Sequence, residues 1–82
     1  MALWWLSYCI NDRPLGVVII EASMLEHARM IATIEKIDAG MTFTEGHMLD
    51  AEQSALVKPG EISRFLFLPQ AEEIRTRFKG NA

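Results

Sequence analysis

Leu3-Trp4-Trp5-Leu6-Ser7-Tyr8-Cys9-Ile10, Asn11-Asp12-Arg13-Pro14-Leu15-Gly16 and Val17-Val18-Ile19-Ile20-Glu21-Ala22 are two apolar runs separated by one polar break. Both runs are rich in aromatic and β-branched residues, and the break holds Asn, Asp, Pro and Gly, so the stretch reads as a β-hairpin. Pro14 biases Arg13 toward an extended conformation, and Gly16 is free to take a positive φ where the second strand begins. Alternate residues of a strand point to opposite sides. Trp4, Leu6, Tyr8 and Ile10 therefore form one row of the first strand, and Leu3, Trp5 and Cys9, interrupted by Ser7, form the other. In the second strand Val18, Ile20 and Ala22 lie on one side and Val17 and Ile19, ending at Glu21, on the other. Both sides of this ribbon are apolar, so each must be covered.

The rest of the chain supplies few elements for that task. Its 82 residues make one domain, 1–82, because domains run from roughly 50 to 250 residues. A core of this size rarely leaves more than ~5 kcal/mol of net stability without a disulfide, a metal or a partner. Cys9 is the single cysteine and forms no intrachain disulfide, and no recognised metal-ligand spacing is present. Association with a second chain is then the expected supplement. The interface predicted from the ribbon comprises Leu3, Trp5, Val17 and Ile19, and the partner is the chain itself, as a homodimer, or another protein.

Composition excludes several classes. Hydrophobic residues make up 50% and charged residues 23%, the balance of a globular rather than a disordered chain. Eight Lys and Arg against eleven Asp and Glu, net −3, give no positive field for nucleic acid. The five glycines are isolated, so there is no phosphate cradle and no nucleotide cofactor is expected. Met1 to Ile10 is too short to span a membrane and is followed by Asn11-Asp12-Arg13-Pro14; it also lacks the basic leader of a signal peptide. A cytoplasmic protein with Cys9 reduced is the expectation.

Beyond the ribbon, Ser23-Met24-Leu25-Glu26 matches a capping box and predicts a helix to about Asp38, ended by Ala39-Gly40. Its apolar residues cover a wide arc, and His27 falls inside it. Met41-Thr42-Phe43-Thr44-Glu45 alternates as a third strand, with Gly46 allowing a bulge or turn before His47. Asp50-Ala51-Glu52-Gln53 opens a short helix that ends before Pro59. Pro59 to Leu68 fits either a helical turn or an aromatic strand, and the reading leans to the turn. Pro69 starts a last helix, with Glu72 and Glu73 in its first turn, Glu73 paired to Arg77, and a stripe of Ala71, Ile74 and Phe78; Asn81-Ala82 is a frayed end. The predicted fold is α+β, order ββαβαα: a small antiparallel sheet, the N-terminal hairpin plus a third strand, packed on helices.

Two functional readings follow. The favoured one is a non-catalytic interaction or oligomerisation module. The other is a small ligand- or metal-binding domain with a site at the end of the third strand, formed by Glu45, His47 and Asp50 with His27 approaching from the helix. Cys9, flanked by Tyr8 and Ile10, has no neighbouring cation to activate it and reads as a small hydrophobe.

Overall fold

The computed structural model describes residues 1–80; the expected frayed end, Asn81-Ala82, lies outside the described residues. The fold is α+β. Strands β1 (Ala2–Ile10) and β2 (Arg13–Ala22) form the hairpin, helix α1 (Leu25–Ile34) follows, then β3 (Thr42–Met48), α2 (Ala51–Leu56), a 3-10 turn (Pro59–Glu61), β4 (Phe65–Phe67) and α3 (Leu68–Gly80). All strand pairs are antiparallel, in the order β3-β1-β2-β4. The ambiguous segment 59–68 thus holds both a turn and a fourth strand, which the sequence reading did not separate.

The hairpin turns on two residues. Ile10 pairs with Arg13, and Asn11 and Asp12 both have positive φ, 49° and 63°, which is the backbone of a type I′ turn. Pro14 and Gly16 lie inside β2 rather than in the loop. The register shifts between Tyr8 and Cys9, leaving Leu15 as the extra residue. Gly16 shows no positive φ; it is small because the Phe65 ring lies across it. A Cβ there would strike the Leu66 carbonyl oxygen and stand 2.7 Å from a Phe65 ring carbon.

β3 carries its bulge at Thr44, not at Gly46: Ser7 pairs with Glu45 but Tyr8 with Phe43. The Thr44 hydroxyl donates to the Ser7 carbonyl at 3.0 Å, so the bulged residue ties itself to the neighbouring strand. Gly46 serves packing instead. A Cβ at this position would lie 2.7 Å from Leu25 and 2.9 Å from Leu6 side-chain carbons, so the missing side chain lets α1 settle onto the sheet.

The helix ends follow tertiary demands. α1 begins after Met24, which caps it in extended conformation without a side-chain hydrogen bond; the Ser23-Glu26 box does not form, and the Ser23 hydroxyl instead meets His27 Nδ1 at 3.4 Å. The C-terminus comes at Ile34, earlier than expected, in a Schellman arrangement: Ile37 N–H donates to the Ala32 carbonyl at 2.8 Å and Lys36 N–H to Thr33 at 3.2 Å. Lys36 takes the left-handed position, φ 57°, because Ile37 must turn back onto the core beside Ala32. The Asp50-Gln53 capping box of α2 forms in both directions, at 2.8 and 3.1 Å. In α3, Glu72 and Glu73 fall beyond the first turn, and Glu72 pairs with Arg75 at 3.0 Å.

Candidate functional site

The residues expected at a partner interface are placed first by their neighbours. Trp5 pairs with Ile19 and Ser7 with Val17 across β1 and β2, so Leu3, Trp5, Val17 and Ile19 share one face, as the alternation requires. That face is covered by the chain itself. Trp5, Val17 and Ile19 are 2%, 2% and 0% exposed, in a cluster with Leu49, Val57, Leu66, Ala71 and Ile74; Leu3, Ile62 and Phe78 pack around it. The premise that the ribbon exceeds what one chain shelters is therefore corrected. The α3 stripe of Ala71, Ile74 and Phe78 is narrow, but Leu49, Val57, Ile62 and Leu66 widen the cover. On the other face, Leu6, Tyr8, Val18, Ile20 and Ala22 lie under Ala28 and Ala32 of α1. Trp4 is half-buried there, its indole N–H donating to the Ala22 carbonyl at 3.0 Å.

The predicted ligand set is not brought together. His47 pairs with Trp5 and stacks on its indole, ring centroids 6.5 Å apart, on the α3 face. Glu45, opposite Ser7, shares that face. Asp50 spends its carboxylate on capping α2. His27 belongs to α1 on the other side of the sheet and is exposed rather than in the core. No group of three or more His, Cys, Asp or Glu among the described residues has the geometry to hold a metal ion.

The strongest polar contact lies elsewhere and was missed by spacing. Arg77 forms a bidentate pair with Glu61, at 2.9 and 3.0 Å, and also donates to the Leu56 carbonyl at 2.7 Å. Its expected partner was Glu73, four residues away on the same helix. The guanidinium hydrogen bonds hold the Glu61 carboxyl below its ordinary pKa, and Glu61 in turn raises that of Arg77. This pair fastens α3 to the α2–β4 connection, and so fastens the lid over Trp5.

Among the described residues, two solvent-open features bear on recognition. One is the outer edge of β3. The other is a cleft of about 680 Å³ between the end of α1, the turn through residues 35–41 and the sheet. Tyr8 and Phe43, with ring centroids 5.9 Å apart, form its floor. Arg29, its guanidinium 4.0 Å above the Phe43 ring, and Lys36 supply positive charge; Asp38 supplies negative. The Asp38 carboxylate is engaged with the Gly40 N–H at 3.0 Å and the Thr33 hydroxyl at 3.3 Å. Burial first, and the Asp38 charge second, push the Tyr8 hydroxyl above its ordinary pKa, with Arg29 opposing.

No protein family, curated protein or solved structure matches this chain. Among the described residues, no helix is long and apolar enough to cross a membrane.

Proposed function

We propose that the chain is a small non-catalytic interaction module that associates with a second copy of itself through the outer edge of β3, continuing the four-stranded sheet across a two-fold axis. The observation that carries this reading is the edge itself. β3 is an outer strand of seven residues, Thr42–Met48, and contains neither Lys nor Pro, whereas the opposite edge, β4, has only three residues. An outer strand offers a row of backbone donors and acceptors, which Lys and Pro most often blunt; β3 carries one charged residue, Glu45, and one bulge, at Thr44, and is open from Glu45 onward. Met48, 56% exposed, adds apolar area at one end.

Charge selects the register. A two-fold axis normal to the sheet keeps every residue on its own face, so the pivot falls on a residue of β3. Pivoting on Glu45 sets that carboxylate against its own copy, and pivoting on His47 sets imidazole against imidazole. Pivoting on Gly46 sets each Glu45 opposite the second copy's His47, a complementary cross-strand pair. With the pivot on Gly46, Met48 meets the second copy's bulged Thr44, so regular pairing is limited to Glu45–His47 and the association is weak and concentration-dependent, at the small end of the interface range. A cytoplasmic setting, in which Cys9 stays a buried free thiol, goes with this reading.

Sedimentation equilibrium over rising concentration tests it. A reversible monomer–dimer equilibrium is expected. His47→Glu places like charges across the axis and weakens it by about tenfold or more, and Glu45→His combined with His47→Glu restores it by exchanging the two partners. A strictly monomeric chain at about 1 mM, a concentration at which even a contact worth ~4 kcal/mol is half formed, overturns the proposal. So does a double variant no better than the single one.

A further inference from the structure

The cleft beside α1 has a feature that the self-association reading does not use. Tyr8 is 97% buried, being 3% exposed, yet its hydroxyl makes no hydrogen bond to the described residues. Nor is it sealed from solvent, because no buried side-chain N or O atom is without a partner. The hydroxyl therefore reaches solvent, and the two charges that act on it, Asp38 and Arg29, both line this cleft together with Tyr8. A nearly enclosed tyrosine normally finds a partner for its O–H; here that position is left free.

Around it the cleft is built for a particular chemistry. The Arg29 guanidinium carbon lies 4.0 Å from the Phe43 ring centroid, a cation–π contact that anchors the group beside the hollow; Arg29 makes no salt bridge to the described residues. A guanidinium presents a planar fork that matches a carboxylate in two-point contact. Lys36 adds a second positive charge. Phe43, Met41 and the Tyr8 ring offer apolar surface beside these donors. The volume, about 680 Å³, is in the range of small-molecule sites, which run from roughly 300 to 1,000 Å³.

We infer that this cleft binds a small organic monocarboxylate with an aromatic or bulky apolar body, its carboxylate held by the Arg29 fork and the Tyr8 hydroxyl and its body laid against Phe43 and Met41. Lys36 balances the ligand's charge at the rim. Asp38 sets the upper limit on that charge. Its carboxylate, fixed by Gly40 and Thr33 in the same cleft, repels a dianion more than a monoanion, which disfavours phosphate. The Tyr8 hydroxyl stays protonated at neutral pH and acts as a donor, consistent with the direction of its pKa shift.

Titration of the full chain with benzoate, followed by backbone amide NMR, tests the assignment, with inorganic phosphate as the competing anion. Saturable shifts confined to the amides of Tyr8, Arg29 and residues 33–43 are expected with benzoate and not with phosphate. Arg29→Lys retains the charge but loses the fork, and is expected to weaken binding about tenfold. Tyr8→Phe keeps the ring and the packing and is expected to weaken binding severalfold while leaving the rest of the spectrum unchanged. No saturation by about 10 mM benzoate, weaker than the feeblest small-ligand affinity worth a site, overturns the inference. Equal binding by the Arg29→Lys chain, or tighter binding of phosphate, overturns it as well.

Discussion

The two faces of the hairpin are made of alternate residues of the same two strands, yet they are covered in opposite ways. The Leu6, Tyr8, Val18 and Ile20 face is roofed by α1, the next element along the chain, through the small residues Ala28 and Ala32 and over the gap left by Gly46. The Trp5, Val17 and Ile19 face waits for the far end of the chain: Leu49, Val57, Leu66 and finally Ala71 and Ile74 of α3. The near roof is a close helix-to-sheet fit between small residues. The far roof is a collection of short pieces centred on one large indole and pinned from outside by Arg77 and Glu61. A narrow helical stripe is enough to close a face when loops and an added strand contribute side chains, so the width of one helix is a poor measure of what a short chain can bury.

The sharpest way to break the far roof is Trp5→Ala. Removing a fully enclosed indole costs about 3–5 kcal/mol, close to all the stability a chain of this size carries. Urea denaturation should show a protein largely unfolded, rather than a folded one with altered association. A folded chain of near-normal stability would mean that α3 does not rest on Trp5. Gly16→Ala probes the seam where β4 joins the sheet. The added methyl meets the Leu66 carbonyl and the Phe65 ring, and overpacking of this kind costs about 1–3 kcal/mol. Because β4 pairs through only three residues, the loss should appear first as faster amide hydrogen exchange at Phe65–Phe67 than in β1.

Arg77→Ala gives the smallest effect and the most specific one. The pair is about one-fifth exposed, 21% and 20%, so its worth is about 1–2 kcal/mol after allowance for solvent screening. Glu61 has a folded pKa below its ordinary 4.5. Its contribution is therefore fully present above about that pH and is lost as the pH falls through the lower folded value. Thermal melts from pH 7 down to about 3 should show a smaller acid-side decline for Arg77→Ala than for the unaltered chain. An identical decline in both would remove Glu61 from the acid sensitivity of the fold.

Features governed by neighbours in sequence were legible. The hairpin, the third strand, the Asp50-Gln53 cap and the Ala71, Ile74 and Phe78 stripe each follow from alternation, helical spacing or a hydrogen bond across three residues. Where a local signal met a long-range one, the long-range one prevailed. Ser23-Glu26 has a cap pattern as good as Asp50-Gln53, but β2 runs on to Ala22, 2% exposed, and α1 starts at Leu25, two residues past Ser23. Gly40 was the natural helix stop and does take a left-handed φ of 75°, yet α1 already ends at a left-handed Lys36, which turns the half-buried Ile37 onto the core. β4 was ambiguous because three residues show no period, and its Leu66 is set by what lies beside it in β2.

The candidate site was illegible for the same reason. Tyr8, Arg29, Lys36 and Phe43 belong to β1, α1, the turn after it and β3, and no spacing rule relates them; only the sheet order brings their side chains around one hollow. Glu45 and His47 looked like a pair because they are near in sequence, and they do share a face, but Asp50 and His27 are drawn elsewhere by a helix cap and by the opposite side of the sheet.

From its residues alone this chain determined an α+β fold, a two-sided apolar ribbon and the sides taken by Leu3 to Tyr8 and by Val17 to Ile20, since those depend on pleat and periodicity. Tertiary structure decided what covers each side, where α1 begins and ends, and which charges meet. Those outcomes depend on burial summed over segments dozens of residues apart, a quantity that no local pattern contains.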